Sequence, residues 1–190
     1  MLENWQKSFN SVLRYEGGYV NDPLDMGGET NLGITKSTLN KAIREGVVDS
    51  SVTVKNLKKC DAEKIYKKYY WDKMFCDDMP TPIDHMIFDT VVNHGIIGGS
   101  RIIQRAINSA GISNDISIVV DGKFGELSKE AVDRLDALEE TPYLARMILI
   151  KRKAYYDDII ANKPSQAKFR RGWYNRINNL AKDCCIDWKA

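Results

Sequence analysis

Apolar side chains recur at helical spacing along nearly the whole chain, and this recurrence restricts the fold more than any other feature. Trp5, Phe9, Val12 and Leu13 fall at i, i+4, i+7 and i+8, one stripe of a helix that the Gly17-Gly18 pair must end. The same spacing predicts a helix over Ser37–Glu45, with Leu39, Ala42 and Ile43 inward and Gly46 as its stop. Asp61 is placed to cap a helix through AEKIYKKYYWDKMF that turns Ile65, Tyr69 and Trp71 inward. MPTPIDHMIFDTVVNHG opens with Thr81 as cap and Pro82 at the first helical position, and Gly95 lies past its end. A short helix follows with Ile102, Ile103, Ala106 and Ile107, and Ser128, Thr141 and Pro164 open three more. Only VVDSSVTVKNL alternates in the manner of a strand, and it holds at most a short one. The expected fold is all-α, with at most a small β element.

At 190 residues the chain makes one domain or two small lobes. The expected division is a lobe over residues 1–95 and a helical lobe over 96–190, parted near Gly95–Gly99. No apolar run approaches the roughly 20 residues that cross a bilayer, so no stable membrane insertion is expected. The opening residues lack a basic end, an apolar core and a small-residue cleavage site, which predicts synthesis in the cytoplasm. A net charge of +2 is too small to argue for a nucleic-acid partner. Between Arg146 and Lys182, ten Lys and Arg face only Asp157 and Asp158, a pattern that fits a solvated basic helix face. Cys60, Cys76, Cys184 and Cys185 show neither metal spacing nor a disulfide framework, and reduced thiols are expected. His85 and His94 have no partner in metal register, so neither metal nor cofactor is expected.

One stretch departs from the helical pattern. YEGGYVNDPLDMGGETNLGIT, residues 15–35, crowds Glu16, Asp22, Asp25 and Glu29 among five glycines. Glu16 falls at the C-terminal end of the first helix, where the helix dipole disfavours a carboxylate and tends to raise its pKa. A carboxyl that keeps its proton near neutrality can protonate the leaving oxygen of a glycosidic bond. A second carboxylate must then act across that bond. Asp25, nine residues on, lies in a segment too rich in Gly and Pro to stay helical, so it can fold back toward Glu16. Thr30 and Thr35 are available to hold a water or a sugar hydroxyl. By themselves, two acids in a polar loop fit a solvated turn as readily as a catalytic pair.

EGGY, NDP, the paired glycines and TN-x-GIT, taken together, resemble the signature of glycoside hydrolase family 108. This family comprises peptidoglycan-cleaving N-acetylmuramidases of phage endolysins and of bacterial proteins often called secretion activators. IYKKYYWDKM and FDTVVNHG resemble later blocks of the same domain. VNHGIIGGSRIIQRAIN, VDGKFGELSKEAV and RRGWYNRI are similar to its usual C-terminal companion, a predicted peptidoglycan-binding region. The resemblance implies a lysozyme-like helical fold, peptidoglycan as partner, and hydrolysis of the β-1,4 bond between N-acetylmuramic acid and N-acetylglucosamine. It places the catalytic glutamate on Glu16. The broader phage lysozyme pattern is Glu, eight residues, Asp, five residues, Thr. Asp25 meets the first interval, but the second ends on Asn31, one position after Thr30. Glu16, Asp25 and Thr30 are therefore the catalytic candidates, with Asp22 and Thr35 as rivals for the second and third roles. Tyr19, Asp22, Asn31, Thr35, Asn93 and His94 are the substrate-binding candidates. Tyr69, Tyr70 and Trp71 carry rings that can stack on a sugar but fit core packing better.

Without an export signal, such an enzyme reaches the periplasm or cell wall only by release or assisted export. A different class of function, a peptidoglycan-binding or secretion-associated protein that keeps the fold without catalysis, fits most of the same residues. A helical nucleic-acid binder has only the basic segment in its favour.

Overall fold

A computed structural model of the chain describes residues 2–21 and 28–188. It contains seven α-helices and one two-stranded sheet among the described residues, so the all-α expectation holds. Two compact units divide the chain, residues 1–73 and 74–190.

The first unit is built on α1 (Leu2–Leu13), whose Trp5, Phe9 and Val12 are buried along the stripe read from the sequence. A hairpin of β1 (Thr30–Asn31) and β2 (Ile34–Thr35) follows, paired Thr30 to Thr35 and Asn31 to Ile34. Its two turn residues, Leu32 and Gly33, both have positive φ (50° and 74°), the tight primed turn that suits the twist of antiparallel strands. Next comes α2 (Lys36–Arg44), with Leu39 and Ala42 buried and Gly46 at φ 66° just past its end. No strand forms in VVDSSVTVKNL; Asp49 and Asn56 fold it into turns by bonding the backbone N–H groups of Ser51 and Thr53.

Next, α3 (Lys59–Tyr66) begins three residues earlier than expected, and Asp61 serves it from inside the first turn by accepting the Lys58 N–H at 3.1 Å. From Lys67 to Trp71 the chain winds as a π-helix. Its wider turn brings residues five apart onto one side, so Tyr66 and Trp71 are buried where a continuous α-helix would separate them. Tyr69 consequently points outward and donates its hydroxyl to Glu45 at 2.9 Å. Burial and that carboxylate push its phenol up to about 12.

In the second unit, α4 (Ile83–Ala110) starts behind Pro82, one residue later than the Thr81 cap would give. It is two helical halves joined at Gly95, whose φ of 73° and ψ of 162° break the helix where the sequence placed a stop. A Cβ on Gly99 would lie 2.7 Å from the Val91 Cα, so the second half can start this close to the first only because Gly99 has no side chain. The Gly95–Gly99 segment thus lies inside this unit. Both halves are buried on several faces, as a central helix requires. Packed around it are α5 (Glu126–Ala137), opening at Glu126 rather than Ser128, α6 (Thr141–Asn162) and α7 (Arg170–Asp183). The DGKFG turn is a scaffold element: Gln104 donates to Asp121 at 2.8 Å and accepts the Gly122 N–H at 2.9 Å. All four cysteines are free thiols. No described helix is long and apolar enough to cross a membrane.

Candidate active site

After Leu13 the last turn of α1 tightens. Arg14, Tyr15 and Glu16 donate their N–H groups to carbonyls three residues back, those of Ser11, Val12 and Leu13. This sets Glu16, half-buried, at the C-terminal mouth of the helix. The Leu32 N–H then donates to the Gly17 carbonyl at 3.0 Å, which ties the hairpin turn to the glycine pair. Val20 and Thr30 exchange backbone bonds of 2.8 and 2.9 Å, so GGYV runs back along the hairpin edge.

These bonds bring the Glu16 carboxyl directly over Gly33. A Cβ built on Gly33 would collide with both the Glu16 carboxyl and the Tyr66 hydroxyl. That hydroxyl donates to the Leu32 carbonyl at 3.0 Å, so Tyr66 holds the turn from the other side. The Tyr66 ring in turn packs at 5.8 Å from Phe9 and 5.5 Å from Tyr70. The half-buried Tyr70 phenol is pushed up by burial and then by the nearby Glu16 charge. The carboxyl therefore sits at a helix end, against a glycine, beside an aromatic wall.

Gly33 meets two demands at once, a left-handed φ and the absence of a Cβ. Gly33→Ala should destabilise the first unit by roughly 2–4 kcal/mol and misplace Glu16. Differential scanning calorimetry checks this; an unchanged melting curve would mean that the turn can shift at no cost.

The other sequence candidates fall into distinct settings. Asp22 and Asp25 lie outside the described residues. Tyr19 is 42% exposed and donates to Glu29 at 3.0 Å, a bond that raises its phenol pKa. Asn31 is buried and its amide donates to the Val54 carbonyl at 2.9 Å, pinning the 54–57 loop to the hairpin. Thr35 caps α2, its hydroxyl accepting the Thr38 N–H at 3.2 Å. The Thr30 hydroxyl has no hydrogen-bond partner among the described residues.

Asn93 and His94 belong to the second unit. Asn93 accepts the Tyr156 hydroxyl. The His94 ring packs 5.0 Å from both Tyr155 and Tyr156, and burial and then the Arg152 charge lower its pKa to about 3, so it is neutral. Trp173 stacks on Tyr156 at 4.7 Å.

Tyr66 was missed in the sequence. Its spacing of four from Tyr70 was the available signal, since residues at i and i+4 share a helix face. Among the described residues no group of three or more His, Cys, Asp or Glu is arranged to hold a metal ion.

Comparison with known proteins accords with this geometry. Residues 9–95 match a family model described as Glycosyl hydrolase 108, and residues 98–178 match one described as Predicted Peptidoglycan domain. The two segments meet just after the Gly95 break in α4. Among solved structures, that of Brucella abortus SagA is similar over 100% of this chain and 98% of its own, at 27% identity and a TM-score of 0.72. No match was found among curated proteins. With Glu16 and the hairpin beside it inside the first matched segment and the companion segment following, residues 9–95 form a glycosyl hydrolase 108 domain, which implies peptidoglycan hydrolysis, and residues 98–178 a predicted peptidoglycan domain.

Proposed function

We propose that the protein is an N-acetylmuramidase that hydrolyses the β-1,4 bond between N-acetylmuramic acid and N-acetylglucosamine, with Glu16 as general acid. The observation that carries this reading is the seat of the Glu16 carboxyl, at the C-terminal end of α1, over Gly33 and beside Tyr66 and Tyr70. A helix C-terminus and partial burial both favour the neutral form of a carboxyl, the form that can give up a proton. Glu16 protonates the bridging oxygen as the bond to the muramic acid anomeric carbon breaks. The N-acetylglucosamine side leaves as an alcohol, and water supplies the hydroxyl that completes the new reducing end.

The second carboxylate is assigned to Asp25, with Asp22 as rival, to stabilise the cationic centre or direct the water. Thr30 takes the third role in preference to Thr35, because the Thr35 hydroxyl is committed to capping α2 while that of Thr30 is not. Tyr19 is retained as a candidate substrate contact. Asn31 serves the site through the hairpin it anchors, while Asn93 and His94 pack against Tyr155 and Tyr156 within their own unit. Residues 96–190 are assigned to holding the polymer, and the enzyme to acting at the cell wall after release or assisted export.

Mass spectrometry of fragments released from purified cell walls tests the reaction. Fragments ending in reducing N-acetylmuramic acid are expected. Reducing N-acetylglucosamine would reassign the bond that is cut, and cleaved peptides with intact glycan would overturn the glycosidase reading.

A further inference from the structure

A half-buried tyrosine beside the proposed acid has no role in the mechanism above. Tyr70 packs its ring 5.5 Å from Tyr66, whose hydroxyl meets the same face of Gly33 as the Glu16 carboxyl. Tyr70 thus belongs to the wall around Glu16, and it is close enough for that charge to reach its phenol. Its hydroxyl differs from those of five other tyrosines, and is like those of Tyr143 and Tyr155, which also donate to no described residue. Tyr19, Tyr66, Tyr69, Tyr156 and Tyr174 each donate to a protein oxygen, from Glu29, Leu32, Glu45, Asn93 and Asp157 in turn. The Tyr70 hydroxyl donates to none among the described residues.

The ring of Tyr70 is half-buried, but its hydroxyl bonds no described protein group and is left to water or to whatever occupies the space beside Glu16. An incoming oxygen at that position would satisfy it, so the donor is prepared for a ligand. The ring is also held in place, packed on Tyr66 and carried by the π-helical turn that buries Trp71. It therefore offers a hydrogen bond at little further cost in side-chain entropy.

We propose that the Tyr70 hydroxyl is a substrate-binding group of the Glu16 site, donating a hydrogen bond to an oxygen of the amino-sugar glycan seated there. The proposal rests on the muramidase reading. It makes Tyr70 a contact for the sugar nearest the acid, where its loss weakens binding and misplaces the bond to be cut.

The test separates binding from cleavage. In a Glu16→Gln background, isothermal titration with a soluble tetrasaccharide of alternating N-acetylglucosamine and N-acetylmuramic acid is compared with and without Tyr70→Phe. About tenfold weaker binding is expected, the size of one hydrogen bond. The melting temperature should stay within about 2 °C, since the change deletes one oxygen that makes no hydrogen bond to a described residue. In the active background, Tyr70→Phe should lower kcat/KM by at least the same factor. Unchanged affinity against a Glu16→Gln parent that does bind the tetrasaccharide overturns the Tyr70 assignment alone. A wild-type protein that neither binds nor cleaves the glycan overturns the muramidase reading, and this assignment with it.

Discussion

Glu16→Gln should reduce the clearing of purified cell walls by about a thousandfold while leaving the fold intact, since a positioned general acid contributes typically 10²–10⁴ in rate. Glutamine has the shape of glutamic acid and can rest over Gly33 beside Tyr66 and Tyr70 as the carboxyl does. It has no acidic proton to give. Circular dichroism and the melting temperature should therefore match the wild type, and sedimentation with cell walls should persist. Clearing that survives the substitution would remove Glu16 from the role of acid. Gly33→Ala would also lower activity, but by a different route: it keeps the acid and displaces it, so its loss of activity should come with a loss of stability.

The largest loss of stability is expected at Asp89. This carboxylate on α4 is 2% exposed and holds two arginines, Arg152 of α6 at 3.2 Å and Arg176 of α7 at 2.8 Å. One buried anion thus ties three helices of the second unit together. Asp89→Ala would remove the carboxylate that both guanidinium groups share, and breaking a buried pair in this way costs roughly 3–5 kcal/mol. Urea unfolding should register it; a loss under about 1 kcal/mol would mean that water already screens the arginines.

The pH dependence follows in sign. Burial alone would raise the Asp89 pKa, but Arg152 and Arg176 outweigh it and hold it below the usual carboxylate range. Its contribution is therefore complete above the unfolded value of about 3.9 and is lost as pH falls through the lower folded value. His94 acts over a higher window. Its folded pKa is about 3, so below about 6.5 the unfolded chain takes a proton that the folded chain refuses. Stability should fall by at most about 1.4 kcal/mol per pH unit across that window. Melting temperatures between pH 7 and 4 should decline, and His94→Phe should flatten the decline.

The helices of this protein were legible because an apolar stripe records which face each one buries, and Trp5, Phe9, Val12, Leu39 and Ala42 lie where their spacing put them. The break at Gly95 was legible for a related reason: only glycine takes that backbone conformation readily. The catalytic candidate Glu16 was legible as the last acid of a helix followed by two glycines. Its surroundings were not. The π-helical turn that buries Tyr66 in place of Tyr69 depends on how α3 seats against α1, and no local propensity encodes it. The fixed residues of TN-x-GIT read as ligand candidates in a linear sequence. Folded, Asn31 pins a loop, Thr35 caps a helix, and Gly33 makes room for a carboxyl from a segment 17 residues earlier. Asp89 shows the same limit, because its partners lie 63 and 87 residues away. Sequence by itself determined the helices and the position of the acid, since spacing and chain stiffness act locally. Tertiary structure decided what surrounds that acid and what neutralises the buried charges, since those are properties of neighbours that only packing brings together.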